Sequence, residues 1–130
     1  MQGKVLIIDD SLTNNVLLEN ILKAEGINSL VAYNGKEALT IIKKEKPLLI
    51  LLDIMMPEMD GFMFLEKMKQ EESTRDIPVI IITARNDKES IKKAQKAGIK
   101  NIILKPIDIQ KVVTSVKNQL KVKEHYADKT

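Results

Sequence analysis

A run of five apolar residues that ends in a carboxylate is the feature that most constrains the fold of this chain. Residues 48–52 read Leu-Leu-Ile-Leu-Leu and Asp53 follows, with Pro47 before the run and Pro57 and Gly61 after it. An unbroken apolar run of this length is typical of a strand covered on both faces, as in the middle of a parallel sheet. We therefore expect Asp53 at the carboxyl edge of a central strand, where open α/β sheets bind ligands.

The rest of the chain alternates strand and helix signals. Apolar runs predict strands at about residues 4–9, 29–33, 48–53, 78–83 and 101–104. A segment with helical spacing of apolar residues follows each run, and candidate helix caps stand at Ser11, Gly26, Asp60, Asp87 and Gly98. The last helix loses its apolar stripe at about Lys121, so we expect one domain over residues 1–120 and a frayed tail over residues 121–130.

Composition narrows the class of protein. A chain of 130 residues fits one domain, and the absence of Cys excludes disulfides and thiolate metal sites. The net charge is +3, but the lysines are scattered and no aromatic residues lie among them, so we expect no direct nucleic-acid binding. The apolar run at residues 5–8 is too short for a signal-peptide core, and no segment approaches membrane-spanning length. We therefore expect a cytoplasmic protein that does not contact membranes.

Strands that alternate with helices predict an α/β fold, a single doubly wound (βα)5 domain around a parallel sheet. The common flavodoxin-like arrangement of five such strands has the order 2-1-3-4-5, which places strands 1, 3, 4 and 5 side by side. The side chains at the carboxyl ends of these four strands are Asp9, Asp10, Asp53, Thr83 and Lys105. One crevice would then hold three carboxylates, a hydroxyl and an ammonium.

The chemistry of that crevice follows from its charges. Three carboxylates within a few ångströms repel one another by roughly one to several kcal/mol per pair, so positive charge is needed among them. Lys105 supplies one charge, and a hard cation with oxygen ligands, Mg²⁺, is the natural remainder. This set suits the oxygens of a phosphoryl group and leaves Asp53, on the central strand, as the nucleophile. The plainer alternative is that each residue only caps a strand or a helix.

The sequence resembles the receiver domain of bacterial two-component response regulators over about residues 3–120. The matching pieces are Val5-Leu6-Ile7-Ile8-Asp9-Asp10-Ser11, then Leu51-Leu52-Asp53-Ile54-Met55-Met56-Pro57-Glu58-Met59-Asp60-Gly61, then Ile82-Thr83-Ala84 and Lys105-Pro106. For Mg²⁺, the resemblance implies that Asp53 and Asp10 are direct ligands and that Asp9 holds a metal-bound water. It implies that the third protein ligand is the backbone carbonyl of Met55.

The same resemblance assigns the phosphoryl chemistry. It implies that Asp53 is the phosphoacceptor, that Thr83 binds a phosphoryl oxygen and that Lys105 pairs with the phosphoryl charge. It also implies a cis peptide bond between Lys105 and Pro106, an isomer that only an X-Pro bond makes accessible at low cost.

This chain departs from the family pattern in three respects. Many family members have Tyr or Phe three residues before the conserved lysine, as a rotameric switch, whereas this chain has Ile102. Met55 and Arg85 stand two residues beyond the acceptor and the threonine, and neither is an amide or an acid that would position water well. Most family members also carry an output domain, and this chain ends before one could fold.

We interpret the chain as a phosphorylation-controlled switch of a phosphorelay, and not as an enzyme. The phosphoryl donor is expected to be a sensor histidine kinase or a histidine phosphotransfer protein, because the sole histidine, His125, lies in the expected tail. A homodimer or an output partner would use the surface of the fourth helix, fifth strand and fifth helix.

Two other functions compete with this interpretation. A small Mg²⁺-dependent phosphatase of the haloacid dehalogenase type also uses Asp, Thr and Lys, but resembles an Asp-x-Asp pattern after its first strand, whereas Asp9 and Asp10 are adjacent here. A receiver-like adaptor that never becomes phosphorylated would not need all five site residues.

Overall fold

The computed structural model describes residues 3–56 and 59–129, with the backbone alone for residues 122–129. In these residues the strands are β1 (Lys4–Ile8), β2 (Asn28–Ala32), β3 (Leu49–Leu52), β4 (Val79–Thr83) and β5 (Asn101–Leu104). The helices are α1 (Leu12–Ala24), α2 (Gly35–Glu45), α3 (Gly61–Gln70), α4 (Lys88–Lys96) and α5 (Ile109–Lys129). The predicted alternation of strand and helix is confirmed, and each strand end lies within one residue of its predicted position. Pro57 and Glu58 of the matching motif lie outside the described residues.

The strands form one parallel sheet in the predicted order β2-β1-β3-β4-β5. In the register of the central pair, Ile8 lies beside Leu52, so Asp9 and Asp53 follow at the same edge of the sheet. In the β4–β5 pair, Thr83 lies beside Leu104, and Lys105 therefore follows at the same edge of the sheet. The parallel register thus gathers the ends of four strands at one edge.

Helices cover both faces of the sheet, and alternate strand residues face opposite layers. All four residues of β3 are buried, which explains the apolar run at the centre of the sequence. One layer packs α2, α3 and α4 against strand residues that include Leu6, Ile50 and Ile81. The other packs α1 and α5 against Leu49 and Ile80 and their neighbours in the sheet. Burial on both faces requires the continuous hydrophobicity of a parallel strand.

Helix ends follow the predicted caps. The side chains of Ser11, Asp60 and Asp87 each accept a hydrogen bond from a backbone N–H in the first turn of the helix that follows. Gly26 and Gly98 have φ of 74° and 84°, a left-handed conformation that glycine adopts without a side-chain clash. Gly26 and Gly98 therefore let the chain turn from the end of α1 into β2 and from the end of α4 into β5.

The backbone of α5 continues to Lys129, beyond the apolar stripe that ends near residue 120. No Gly or Pro follows Pro106, so no residue breaks the helix after the apolar stripe ends. The end of the apolar pattern therefore does not mark the end of the helix. A domain boundary at residue 120, with a tail over residues 121–130, stays a prediction. Among the described helices, none is long and apolar enough to cross a membrane.

Candidate functional site

Three carboxylates meet at the carboxyl edge of β1 and β3. One oxygen each from Asp9, Asp10 and Asp53 lie within 4.8 Å of one another. The backbone N–H of Asp53 donates to Ile8 O at 2.9 Å, which holds the residue after β3 against the end of β1. Asp9 and Asp53 are only 2% and 5% exposed, whereas Asp10 is exposed. The cluster therefore has a buried floor and one open side.

Lys105 places its ammonium between two of these carboxylates. Its Nζ donates to Asp53 Oδ2 at 2.8 Å and to Asp9 Oδ2 at 3.0 Å, and the side chain is 17% exposed. The backbone N–H of Lys105 donates to Thr83 O at 2.9 Å, and the Lys105–Pro106 peptide is cis, as predicted. These contacts direct the lysine from the end of β5 toward the end of β3.

The pKa shifts indicate that negative charge exceeds positive charge in the cluster. Burial lowers the pKa of Lys105, but the hydrogen bonds and negative charges of Asp53 and Asp9 outweigh burial, so the pKa rises above its usual value. Partial loss of water and the negative charge of Asp9, with a smaller contribution from Asp53, raise the pKa of Asp10. One ammonium thus leaves a net negative charge among three carboxylates, which a cation would offset.

Thr83 ends β4 with a fully buried side chain. Its Oγ1 accepts a hydrogen bond from the backbone N–H of Arg85 at 3.3 Å. The Arg85 side chain is directed toward Asp87, because its Nε donates to Asp87 Oδ1 at 3.4 Å. Since a hydroxyl both donates and accepts, the Thr83 O–H can still donate a hydrogen bond to another acceptor.

Met55 contributes its backbone at the site. Its N–H donates to Asp53 Oδ1 at 2.9 Å, while its side chain is 50% exposed. Asp53 therefore has both carboxylate oxygens held, Oδ1 by Met55 and Oδ2 by Lys105. Metal binding by the Met55 carbonyl stays a prediction.

Sequence reasoning missed how three residues at the start of α1 hold Asp9. Ser11 N donates to Asp9 Oδ1 at 2.9 Å, and Asn14 Nδ2 donates to Asp9 Oδ2 at 3.3 Å. Asn15 Nδ2 donates to the backbone oxygen of Asp9 at 2.8 Å. The signal was present, because two consecutive Asn residues are unfavourable inside a helix unless their side chains bond elsewhere.

The donor set fits Mg²⁺. This cation prefers carboxylate oxygens and water. One carboxylate oxygen each from Asp9, Asp10 and Asp53 lie within 4.8 Å of one another, and Asp10 is open to solvent. The residues present therefore offer the oxygen donors and the access to water that a partly hydrated Mg²⁺ needs.

Comparison with known proteins gives consistent matches. The family model of the response regulator receiver domain matches residues 5–117. Sporulation initiation phosphotransferase F of Bacillus subtilis (strain 168) is 37% identical over 125 residues, which cover 96% of this chain and 99% of that protein. Polar-differentiation response regulator DivK of Brucella anthropi is 32% identical over 120 residues, which cover 92% of this chain and 98% of that protein.

Solved structures agree with the sequence matches. The CheY-like response regulator receiver domain protein of Methanospirillum hungatei JF-1 superposes with a TM-score of 0.88 and 27% identity. The superposition covers 97% of this chain and 99% of that chain. The likeness therefore includes the strand ends that build the acidic cluster.

Proposed function

This chain belongs to the response regulator receiver domain family, and we propose that Asp53 is its phosphoacceptor. The chain is a signalling switch of two-component systems that carries a phosphoryl group on an aspartate, and not a catalyst that turns over a substrate. The matches give no support to a phosphatase of the haloacid dehalogenase type. The assignment of individual residues is our proposal.

One observation carries the assignment of Asp53. Its buried carboxylate follows the central strand, with Oδ1 held by Met55 N and Oδ2 held by Lys105 Nζ. A nucleophile held in one orientation avoids the entropy cost of finding the reactive geometry. In the transfer step, an Asp53 oxygen bonds to the phosphorus of a phosphohistidine while the phosphorus–nitrogen bond breaks and its electron pair returns to the imidazole.

Two further side chains would receive the transferred group. Lys105 is placed to exchange its bond to Asp53 Oδ2 for a bond to a phosphoryl oxygen. The Thr83 hydroxyl, which accepts from Arg85 N, can donate its proton to a second phosphoryl oxygen. These two contacts would bring the loops after β4 and β5 toward the phosphoryl group.

Receiver domains bind Mg²⁺ at their acidic pocket, and here we assign Asp10 and Asp53 as direct ligands, Asp9 as the ligand of a metal-bound water, and the Met55 carbonyl as the last protein ligand. When bound, Mg²⁺ neutralises charge on the phosphoryl oxygens during transfer. The raised pKa of Asp10 supports a site that favours added positive charge.

Receiver domains of this type interact with histidine kinases or histidine phosphotransfer proteins. We further propose that a homodimer or an output partner binds the surface of α4, β5 and α5. A groove of about 570 Å³ between α4 and β5, lined by Ile91, Ile102 and Leu104, supports this surface, and Leu104 is 44% exposed. A cytoplasmic location belongs to the same proposal, because kinases draw the phosphoryl group from ATP.

The test is phosphorylation by a small acyl phosphate such as acetyl phosphate. With Mg²⁺, the native protein is expected to gain one phosphate by intact mass, and omission of Mg²⁺ should suppress the gain. Asp53→Asn should remove it, whereas Asp76→Asn, an exposed aspartate between α3 and β4, should not. Equal labelling of Asp53→Asn would show that the phosphate is on another residue, and a native protein that never accepts phosphate would support the adaptor.

A further inference from the structure

Asn15 is a polar residue at a core position of α1. It lies three and seven residues before the buried Leu18 and Leu22, so the helical period places all three on the face that packs against the sheet. Its side chain is fully buried. An apolar residue would suit this position better, because burying an amide costs stability unless its hydrogen bonds are made.

The amide of Asn15 binds the peptide that links Asp9 to Asp10. Its Nδ2 donates to Asp9 O at 2.8 Å, and its own backbone N–H donates to Ser11 O at 3.1 Å. The second bond fixes Asn15 in the first turn of α1, and the first bond reaches back to the residue after β1. These two bonds therefore join the first turn of α1 to the residue after β1, at the edge of the acidic cluster.

The other end of the amide has no partner among the residues that the structure describes. Asn15 Oδ1 is the buried side-chain oxygen that lacks a hydrogen bond among the described residues. A carbonyl oxygen can only accept, so Nδ2 must be the atom that faces Asp9 and Oδ1 must face the interior. The orientation of the amide is therefore set by its bond to the Asp9–Asp10 peptide.

We propose that Asn15 is a positioning residue for the metal site. By fixing the rotation of the Asp9–Asp10 peptide, it keeps the Asp10 carboxylate turned toward Asp53 and so sets the affinity for Mg²⁺. This inference rests on the metal site in the proposed function. It differs from that proposal because Asn15 touches the backbone of the acidic pair and neither the cation nor the phosphoryl group.

A purely structural role would give a different result. Thr74 offers a matched comparison, since it is also buried, at 2% exposure, and its hydroxyl donates to a backbone oxygen, Met68 O, at 2.7 Å. Thr74 follows α3, away from the strand ends that form the cluster. If Asn15 only stabilised the fold, its loss and the loss of Thr74 would affect metal binding alike.

The experiment measures Mg²⁺ affinity by isothermal titration calorimetry without any phosphoryl donor, beside thermal unfolding. The variants are Asn15→Leu, which has similar size and no donor, Asn15→Ala, which serves if the leucine variant does not fold, Asn15→Gln, which keeps the donor, and Thr74→Val. We expect Asn15→Leu and Asn15→Ala to bind Mg²⁺ about tenfold or more weakly, as is common when a partner of a metal ligand is lost. Asn15→Gln should recover part of the affinity, and Thr74→Val should bind as the native protein does.

A second readout separates positioning from chemistry. With acetyl phosphate, the Mg²⁺ concentration for half-maximal phosphorylation of Asn15→Ala should rise, while the rate at saturating Mg²⁺ stays near the native rate. Native affinity in folded Asn15→Leu or Asn15→Ala, equal weakening by Thr74→Val, or no recovery in Asn15→Gln would each overturn the inference. A native protein that binds no Mg²⁺ would instead overturn the metal site on which it rests.

Discussion

At the scale of single residues, the site is organised by how the oxygens of Asp53 are shared. Lys105 occupies Oδ2 and the Met55 backbone occupies Oδ1. The Met55 side chain, half exposed at the mouth of the site, takes no part in these bonds. Replacing the Met55 side chain therefore leaves the two bonds that hold Asp53 in place.

We predict a long-lived phosphorylated state. Hydrolysis of an acyl phosphate needs a water in line with the phosphorus, and a side-chain amide or acid can hold that water. Met55 makes no useful hydrogen bond for this purpose, and Arg85 carries donors alone. The double variant Met55→Asn with Arg85→Glu should therefore lose phosphate several-fold faster at saturating Mg²⁺ without a kinase.

Intact mass over time measures this loss, and Met63→Asn with Lys88→Glu serves as the control. Met63 and Lys88 are exposed residues on α3 and α4, so the control makes similar changes of side chain outside the site. Equal or slower loss from the Met55 and Arg85 variant would show that these positions do not set the lifetime.

At the scale of elements, hydrogen bonds at the strand ends connect β5, β4 and the start of α4. Lys105 N donates to Thr83 O, which joins the end of β5 to the end of β4. Asp87 caps α4 by accepting from Ser90 N at 3.0 Å, and the same aspartate binds Arg85. A displacement of Lys105 or Thr83 would therefore reach the start of α4 through these hydrogen bonds.

We predict that Lys105 and Thr83 are needed more for this movement than for transfer itself. Both side chains would bind phosphoryl oxygens once these are present, and their attraction would draw the loops inward and shift α4 and β5. Ile102 lines the groove between α4 and β5, so the change there should be a repacking of aliphatic side chains and not the rotation of a ring.

Hydrogen exchange with and without phosphorylation tests this prediction. Lys105→Ala and Thr83→Ala should still accept phosphate but lose most of the change in amide exchange over residues 84–104. Lys92→Ala, which removes an exposed lysine from α4, should keep the change. If Lys105→Ala shows the full change, the coupling runs through other residues.

At the scale of the whole molecule, stability comes from two apolar layers that share one sheet. The α5 contribution lies early in the helix, where Val112 and Val116 are fully buried and Leu120 is partly buried. The family match ends at residue 117. The backbone of α5 continues to Lys129, and Leu120 is the last residue of the helix in the described core.

We therefore predict that a chain shortened to residues 1–120 keeps its fold and its function. Its midpoint of thermal unfolding should fall by no more than about 4 °C, which corresponds to roughly 1 kcal/mol for a domain of this size. Phosphorylation of Asp53 by acetyl phosphate should persist. A chain shortened to residues 1–111, which lacks Val112 and Val116, should not unfold cooperatively, and the same loss in the 1–120 chain would place the boundary further on.

The sequence by itself determined the alternation of strands and helices, the caps and the acidic, hydroxyl and ammonium residues at the strand ends. These features depend on local properties: the period of apolar residues, the preference of Ser and Asp for helix starts, and the left-handed backbone that glycine allows. The burial of β3 on both faces could also be predicted, because a continuous apolar run leaves no polar side for solvent. The strand order followed from a common arrangement of such folds and not from the residues.

Only the tertiary structure decided which of these residues touch. Lys105 reaches Asp53 and Asp9 across 52 and 96 residues of chain, and such contacts depend on the register of the sheet, which a local pattern does not specify. The role of Asn15 has the same origin, because a polar residue at a helical core position finds its partner only when the helix is packed. The extent of α5 was likewise not set by the apolar pattern, because the helix continues past Leu120 where no Gly or Pro interrupts it.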